Sequence, residues 1–309
     1  IEGQIWYNTS TQTLKVAPQI AAWASGGAIG TARYEGYGCG TLTAGLFFGG
    51  RTPTAVGVTE EYDGSSWTES GDLGTARQQL SGFGIQTAAL GTGGYVDGAG
   101  YKVETEEYNG STWTEVTNNP TTQFEGMGFG TQTAGVICGG RTPADGDTTD
   151  TTTEYDGTNW TAGGNLGTGR YAGASAGTLT AGLHAGGADR GGPGATQTVT
   201  EEYNGTSWSE VTDMPAATVK VGSSGPQTAA LVFGGRTSAV PGGVTTTFDY
   251  DGTNWTTTAA LATAKANAGA PNTAGSNTAA FYAGGRAPGV VNTTDEFTSV
   301  ATARSVDTT

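Results

Sequence analysis

Basic residues recur at fixed positions in this 309-residue chain, although only 13 of its residues are lysine or arginine. One set directly follows a Gly-Gly pair: Arg51, Arg141, Arg236 and Arg286. A second set ends short polar turns: Arg33, Arg77, Arg170 and Lys265. Guanidinium groups bind carboxylates and sulfates through paired, directional hydrogen bonds. The pattern therefore predicts an anionic ligand, with tyrosines adding surface for a sugar ring. The predicted contacts are Arg51, Arg77, Arg141, Arg170, Arg236, Arg286, Tyr95 and Tyr101.

A structural alternative accompanies this prediction, because residues repeated along a chain usually serve the repeat itself. Each arginine could instead bond to carbonyls or glutamates of its own or the adjacent repeat. Glutamates recur at one position of the repeat: Glu60-Glu61, Glu106-Glu107, Glu154 and Glu201-Glu202. We interpret them as a solvated outer edge that discourages association between molecules, and not as catalytic pairs.

Enzymatic chemistry has little support in the sequence. His184 is the only histidine, and the equivalent position of other repeats carries Phe47, Ile137, Val232 or Tyr282, which favours a packed side chain. No Ser-His-Asp set and no histidine cluster for a metal can be assembled, so we expect no catalytic residue, cofactor or metal site. The acidic loop 145–150 contains oxygen ligands suited to calcium, but a solvated turn is the preferred interpretation. A glycosidase with carboxylates from distant segments stays an open alternative.

Three signals recur six times and define the repeat that must position these residues. The first is a Gly-x-x-Thr-Ala turn, with its threonine at Thr43, Thr87, Thr133, Thr180, Thr228 and Thr278. A Gly-Gly pair follows, as at Gly49-Gly50. The third signal, complete in five copies, is an aromatic residue, Asp-Gly or Asn-Gly, and then tryptophan, as from Tyr62 to Trp67. Asp-Gly and Asn-Gly supply the positive φ angles of hairpin turns.

Each repeat therefore predicts four antiparallel strands, which in the second copy cover residues 78–85, 88–92, 103–108 and 111–116. The first two strands are rich in glycine and alanine, which suits the crowded axis of a propeller, and the last two carry tyrosine and tryptophan for the wider rim. The sequence predicts an all-β protein: a six-bladed β-propeller of four-stranded antiparallel blades.

The sixth repeat ends without a Gly-Trp hairpin, and the missing strand is found near the start of the chain. Trp23 precedes Arg33 by the spacing that also separates Trp67 from Arg77. We predict that residues 19–25 complete the closing blade, which leaves no open sheet edge. The alternative is that residues 297–306 supply this strand. The predicted domains are an N-terminal hairpin or linker segment, 1–18, and the propeller, 19–309.

Strand parity divides the predicted propeller into two faces. Loops between the second and third strands emerge on the same face as the connections between blades, and these loops differ in every copy. Variable loops on a rigid frame commonly bind ligands. Most of the basic residues fall on this face, so we place the binding surface there.

Composition excludes other classes of protein. A net charge of −15 opposes nucleic-acid binding, which needs clustered lysine and arginine. No apolar run reaches the length of a membrane helix, so membrane insertion is not expected. Cys39 and Cys138 lie in different repeats, which argues against a disulfide framework.

The Gly-Gly pair, the tyrosine and the tryptophan of each unit resemble the kelch repeat, as do the segments 73–77 and 213–215. Kelch propellers serve many functions, so this likeness implies the fold alone. Residues 3–15, Gly-Gln-Ile-Trp-Tyr-Asn-Thr-Ser-Thr-Gln-Thr-Leu-Lys, resemble a hairpin segment of tail-fibre and other virion proteins of tailed bacteriophages.

This second resemblance implies a structural protein at the virion surface, in contact with other virion proteins. Combined with the arginines, it predicts host attachment by carbohydrate binding, without catalysis. The alternatives are a decoration module that has no ligand and a carbohydrate-active enzyme.

Overall fold

The computed structural model describes residues 4–8, 13–17, 19–143, 147–189, 195–271, 275–301 and 304–306. These residues form 30 β-strands and no helix. Within the same ranges, no helix is available that is long and apolar enough to cross a membrane. The first strands are β1 (Gln4–Asn8), β2 (Thr13–Ala17) and β3 (Gln19–Gly26), of which β1 and β2 pair in antiparallel register.

Blades 1 to 3 follow in chain order. Blade 1 consists of β4 (Tyr37–Thr41), β5 (Ala44–Phe48), β6 (Thr59–Tyr62) and β7 (Trp67–Glu69). Blade 2 consists of β8 (Ser81–Ile85), β9 (Ala88–Thr92), the loop hairpin β10 (Tyr95–Val96) and β11 (Gly100–Tyr101), β12 (Thr105–Tyr108) and β13 (Trp113–Val116). Blade 3 consists of β14 (Met127–Thr131), β15 (Ala134–Cys138), β16 (Thr152–Tyr155) and β17 (Trp160–Ala162).

Blades 4 to 6 repeat this order. Blade 4 consists of β18 (Ala174–Thr178), β19 (Ala181–Ala185), β20 (Thr200–Tyr203) and β21 (Trp208–Glu210). Blade 5 consists of β22 (Gly222–Ser224), β23 (Ala230–Phe233), β24 (Thr247–Tyr250) and β25 (Trp255–Thr257). The last strands are β26 (Ala279–Ala283), the loop hairpin β27 (Arg286–Ala287) and β28 (Gly289–Val290), β29 (Thr294–Ala301) and β30 (Arg304–Val306).

Blade 6 is closed by the N-terminal strand, as the sequence predicted. Its strand order is β26-β29-β3, and Gly269 bridges Ala283 at the innermost position. Phe297 of β29 lies opposite Trp23 of β3. The alternative in which residues 297–306 supply the closing strand is wrong, because β29 is the third strand of the blade and β30 pairs with β2 outside it. Residues 304–306 thus pair with a strand of the predicted N-terminal segment, although the predicted boundary assigned them to the propeller.

Trp23 makes the contact that a tryptophan makes at the same position of other blades. In blades 1, 2 and 4 the indole N–H donates to a threonine hydroxyl of the preceding blade. Trp23 likewise donates to Oγ1 of Thr247 in blade 5, at 3.0 Å. Its ring packs against Phe233 and Phe297, with centroid distances of 4.9 and 5.2 Å. The borrowed strand therefore continues the blade-to-blade contacts around the ring.

The inner strands carry large aromatic side chains in addition to the glycine and alanine expected near the crowded axis. Phe83 and Phe129 lie in the innermost strands of blades 2 and 3 and are fully buried. A Cβ at Gly135 would approach the Phe83 ring to 2.3 Å. Glycine on one blade therefore makes room for phenylalanine on its neighbour, so the two residue types pack as complementary partners.

The Gly-Gly pairs join neighbouring blades through the backbone. Both glycines have positive φ in every blade, for example 63° at Gly49 and 102° at Gly50, a conformation that side chains other than glycine rarely adopt. The N–H of Gly50 donates to the carbonyl of Arg77 in the next inter-blade turn, at 2.8 Å. Equivalent bonds join all six blade pairs, from Gly50, Gly94, Gly140, Gly187, Gly235 and Gly285 to Arg77, Gln123, Arg170, Thr218, Lys265 and Arg33.

Four blades contain a buried ion pair between the turn-ending basic residue and a carboxylate on the third strand. These pairs are Arg33–Glu60, Arg77–Glu106, Arg170–Glu201 and Lys265–Asp295. The three glutamates are at most 4% exposed, so the interpretation of these positions as a solvated edge is wrong. Burial lowers the pKa of the Arg33 and Arg77 guanidinium groups, and the nearby carboxylates oppose that shift. Breaking such a pair leaves a buried charge without a partner.

The remaining glutamates of this repeated position connect neighbouring blades. Each accepts a hydrogen bond from the tyrosine on the third strand of the next blade. The pairs are Tyr62–Glu296, Tyr108–Glu61, Tyr155–Glu107, Tyr203–Glu154 and Tyr250–Glu202. These carboxylates are thus structural acceptors between blades and not a repulsive edge.

We expect truncation to separate the role of β3 from that of the segment before it. Deleting residues 1–26 removes Trp23 and exposes the edge of β29, so the variant should lose its cooperative thermal transition and aggregate. Deleting residues 1–18 leaves β3 in place and is the matched control, which should keep a propeller-like melting curve. Circular dichroism melts and size-exclusion chromatography measure both outcomes. Equal melting of the two variants would contradict the closing role of β3.

We expect the protein to lose stability in alkali. Burial, followed by the hydrogen bond to the paired glutamate, raises the pKa of Tyr62 and of Tyr108 to about 12. The unfolded chain loses these protons nearer pH 10, so the stabilisation is complete below about pH 10 and is lost as the pH rises toward 12. Melting temperatures measured from pH 9 to 12 should fall more shallowly in the Tyr62→Phe, Tyr108→Phe double variant. An unchanged slope would show that these tyrosines do not carry the effect.

Candidate functional site

Six equivalent residues line the mouth of the central channel on the loop-bearing face. We call this the axial well, formed by Glu35, Gln79, Glu125, Ala172, Lys220 and Asn267. All six have left-handed backbone conformations, with φ between 52° and 59°. The N–H of each donates to the carbonyl of the equivalent residue in the preceding blade, and Glu35 closes the circle by donating to Asn267 at 3.0 Å. The ring fixes the backbone while the six side chains differ.

Charged side chains from three alternate blades meet inside the axial well. The Nζ atom of Lys220 lies 3.1 Å from Oε1 of Glu35 and 2.5 Å from Oε1 of Glu125. Nε2 of Gln79 donates to the same Glu125 oxygen at 3.3 Å, and Nη1 of Arg141 lies 3.7 Å from Oε2 of Glu125. The well encloses about 80 Å³. Two carboxylates therefore contact the Lys220 ammonium in a small, largely apolar cavity, and Arg141 approaches one of them from outside the lining.

Lys220 keeps its charge in this environment. Burial acts to lower its pKa, but the carboxylates of Glu125 and Glu35 outweigh burial and raise the pKa above its ordinary value. A protonated ammonium is a hydrogen-bond donor and not a nucleophile. In the well, Lys220 therefore acts as a charged hydrogen-bond donor to Glu35 and Glu125.

A rim of arginine and aromatic side chains surrounds the axial well. The Arg286 guanidinium lies 4.8 Å from the ring centroid of Tyr34, and Arg51 lies 5.7 Å from the same ring. Arg141 lies between Phe124 and Tyr171, at 5.3 and 5.0 Å. Cation–π contacts of this kind orient guanidinium groups while leaving their edges available for hydrogen bonds.

The hairpin of β10 and β11 adds two tyrosines to the rim. Tyr95 contacts Tyr101 edge-on at 5.3 Å, and Tyr101 stacks on Phe124 at 4.6 Å with an interplanar angle of 27°. Tyr101 is 39% exposed. Exposed aromatic surface beside arginine suits a sugar ring, whose C–H groups pack on the aromatic face while its hydroxyl or acidic groups form hydrogen bonds.

The structure divides the predicted ligand contacts into two groups. Arg51, Arg141, Arg236, Arg286, Tyr95 and Tyr101 lie on the loop-bearing face. Arg77 and Arg170 do not, because both are fully buried in the ion pairs described above. For these two residues the structural alternative fits and the predicted ligand contact is wrong: their guanidinium groups bond to Glu106, Glu201 and nearby carbonyls.

The residues of the axial well were missed by sequence reasoning. Each lies two positions after the residue that ends an inter-blade turn, as Glu35 follows Arg33 and Lys220 follows Thr218. The signal that could have identified them was the change of charge, from one repeat to the next, at one fixed position of an otherwise regular repeat. The repeat pattern does not indicate that the residue at this position lies at the axis of the propeller.

The metal and histidine predictions concern residues outside the axial well. The described residues contain no group of three or more histidine, cysteine, aspartate or glutamate side chains that could hold a metal ion. Residues 145 and 146 of the acidic loop 145–150 lie outside the described residues, so the calcium alternative stays a prediction. His184 is fully buried, as predicted for a packed side chain, and burial lowers its pKa well below the ordinary range.

Comparison with known proteins identifies the architecture. No protein-family model matches the chain, and no curated protein matches it in sequence. The solved structure of YjhT matches with a TM-score of 0.71 and 14% sequence identity, covering 89% of this chain and 99% of that one. Similarity at this level of identity shows the fold alone. The chain is a six-bladed β-propeller.

Proposed function

We propose that this protein is a non-enzymatic virion surface protein of a bacteriophage, which binds acidic glycan on the host surface through the rim and the axial well. The observation that carries the binding role is the charge of the rim. Arg51, Arg236 and Arg286 form no ion pair among the described residues. In a protein of net charge −15, unpaired guanidinium groups gathered on one face favour an anionic ligand.

The proposed place in a virion rests on two features. Residues 3–15 resemble a hairpin segment of tailed-phage virion proteins, and the glycine- and threonine-rich kelch-like array resembles proteins of marine phages. In addition, β3 and β29 extend the closing blade at Gln19 and Ala301, on the face opposite the rim. This arrangement lets other virion proteins hold one face while the rim faces the host cell.

A second candidate function, carbohydrate-active enzyme, is favoured by the carboxylates of the axial well. Glu35 and Glu125 both contact Lys220 Nζ, which keeps these two oxygens within about 6 Å of each other, close to the spacing of retaining glycosidases. A glycosidase also needs one of its two carboxyl groups protonated and free to act as an acid. Here both accept hydrogen bonds from one ammonium, so the geometry favours binding over hydrolysis.

We expect the Arg51→Ala, Arg236→Ala double variant to bind host glycan at least about 100-fold more weakly, because each of the two arginines supplies charge-assisted hydrogen bonds of about 1.5–3 kcal/mol. Its melting temperature should change little, since both side chains are half-buried without an ion pair among the described residues and surface substitutions of this kind alter stability by about 0.5 kcal/mol or less. Glycan arrays and adsorption to host cells measure binding, and thermal melts measure stability.

Lys102→Ala is the matched control, because Lys102 is already paired with Glu104 at 3.3 Å. Unfolding of the double variant would favour the structural alternative for these arginines, and wild-type protein that binds no glycan and no host cell would favour the decoration module.

We expect no release of reducing ends when the protein is incubated with the glycans that it binds. The Glu125→Gln variant is the control for this assay, because it removes one carboxylate with little change in side-chain size. Release by the wild-type protein that is abolished in Glu125→Gln would establish the enzyme as the correct function. Equal background from both proteins would support binding without catalysis.

A further inference from the structure

A second cavity lies beside the axial well, between the loops of blades 5 and 6. This 5/6 cavity has a volume of about 320 Å³, and its lining includes Arg236, Pro241, Asn267, Arg286 and Pro288. The backbones that carry its two arginines are held firmly. Arg236 exchanges two backbone hydrogen bonds with Val219, and Arg286 exchanges two with Ala266, all between 2.9 and 3.1 Å. The guanidinium groups therefore extend from fixed positions.

The two arginines of the 5/6 cavity differ from the other rim arginines because, among the described residues, their guanidinium groups form no ion pair and no hydrogen bond, although Arg286 contacts the Tyr34 ring. Arg141 has a carboxylate of Glu125 nearby, and Arg51 donates from Nη2 to the carbonyl of Pro53 at 2.9 Å. Within the described residues, neither an ion pair nor a side-chain hydrogen bond is present for Arg236 or Arg286. Two positive charges lining one cavity repel each other, and an anion placed between them relieves the repulsion.

Asn267 adds a hydrogen-bond acceptor to the 5/6 cavity, on the side toward the axial well. Asn267 lines both cavities, and its side-chain Oδ1 is buried without a hydrogen-bond partner. An unpaired acceptor requires a donor such as a hydroxyl or an N–H group. A ligand with its anionic group in the 5/6 cavity can thus offer an adjacent hydroxyl to Asn267. Pro241 and Pro288 supply apolar wall for the C–H groups of the same ligand.

We propose that the 5/6 cavity is the anion subsite of this protein and that it holds the carboxylate or sulfate group of an acidic sugar between Arg236 and Arg286, with Asn267 accepting a hydrogen bond from a neighbouring hydroxyl. The assignment of a sugar rests on the proposed function, whereas the assignment of an oxyanion rests on the two arginines. Discrimination between acidic and neutral sugars then belongs to blades 5 and 6, and the tyrosines near blade 2 contribute affinity for any sugar ring.

Titration of the full chain with four probes tests this subsite: glucuronate, glucose 6-sulfate, neutral glucose and inorganic sulfate. The wild-type protein should bind at least one acidic sugar about tenfold more tightly than glucose, and Arg236→Gln or Arg286→Gln should each abolish that preference. A preference for glucuronate or for the sulfate ester identifies the natural group. Lys102→Gln is the matched control, since it removes a positive charge from the same face outside the cavity, and it should keep the preference within about twofold. Melting temperatures confirm that each variant is folded.

The outcomes separate the subsite from the proposed function. A preference for acidic sugars that survives both arginine substitutions would overturn the subsite and leave glycan binding intact. Binding of inorganic sulfate that is lost in Arg286→Gln, with no sugar bound by any form, would support the subsite and overturn the glycan. Absence of binding for all four probes would overturn both.

Discussion

A closed circle of backbone hydrogen bonds around the axis is the constraint on which the candidate site depends. Six N–H groups donate to six carbonyls between 2.6 and 3.1 Å, and every participating residue has a left-handed backbone. Left-handed conformations of residues other than glycine are costly, and they persist here because neighbouring blades hold each one in place. Since no side chain takes part in the circle, Glu35, Gln79, Glu125, Ala172, Lys220 and Asn267 can differ in chemistry without disturbing the frame.

Arginine serves two separate purposes in this propeller, and its position in the repeat decides which purpose it serves. At the end of the turn the side chain extends into the blade, where Arg33 and Arg170 bond to a glutamate and to carbonyls. After the Gly-Gly pair the side chain stays on the loop-bearing face. An arginine at the first position forms a buried ion pair within the blade, so its charge is not available to a ligand. The second leaves charge available to solvent or to a ligand.

The seam between blades 5 and 6 departs from the pattern of the other seams. Phe297 occupies the position at which the other blades have a tyrosine, so Asp249 of blade 5 accepts a bond from Asn277 instead, at 3.2 Å. Trp23, Phe233 and Tyr282 fill this seam with aromatic contacts. The 5/6 cavity opens at the loop-bearing end of the same seam. Irregularity of sequence and the larger cavity thus coincide at the blade where the two ends of the chain meet.

Spacing alone determined the number of blades, the course of the strands and the closing role of Trp23, because glycine pairs and Asp-Gly or Asn-Gly turns impose local backbone conformations that need no distant partner. Those same patterns placed Arg51, Arg141, Arg236 and Arg286 on one face. Tertiary structure decided the rest: it buried Arg77 and Glu106 together, turned Glu61 into an acceptor for Tyr108, and gathered Glu35, Glu125 and Lys220 from three blades. Burial and contact between residues far apart in sequence depend on where blades meet, and a repeat pattern specifies each blade without specifying the side chains that face each other across the axis.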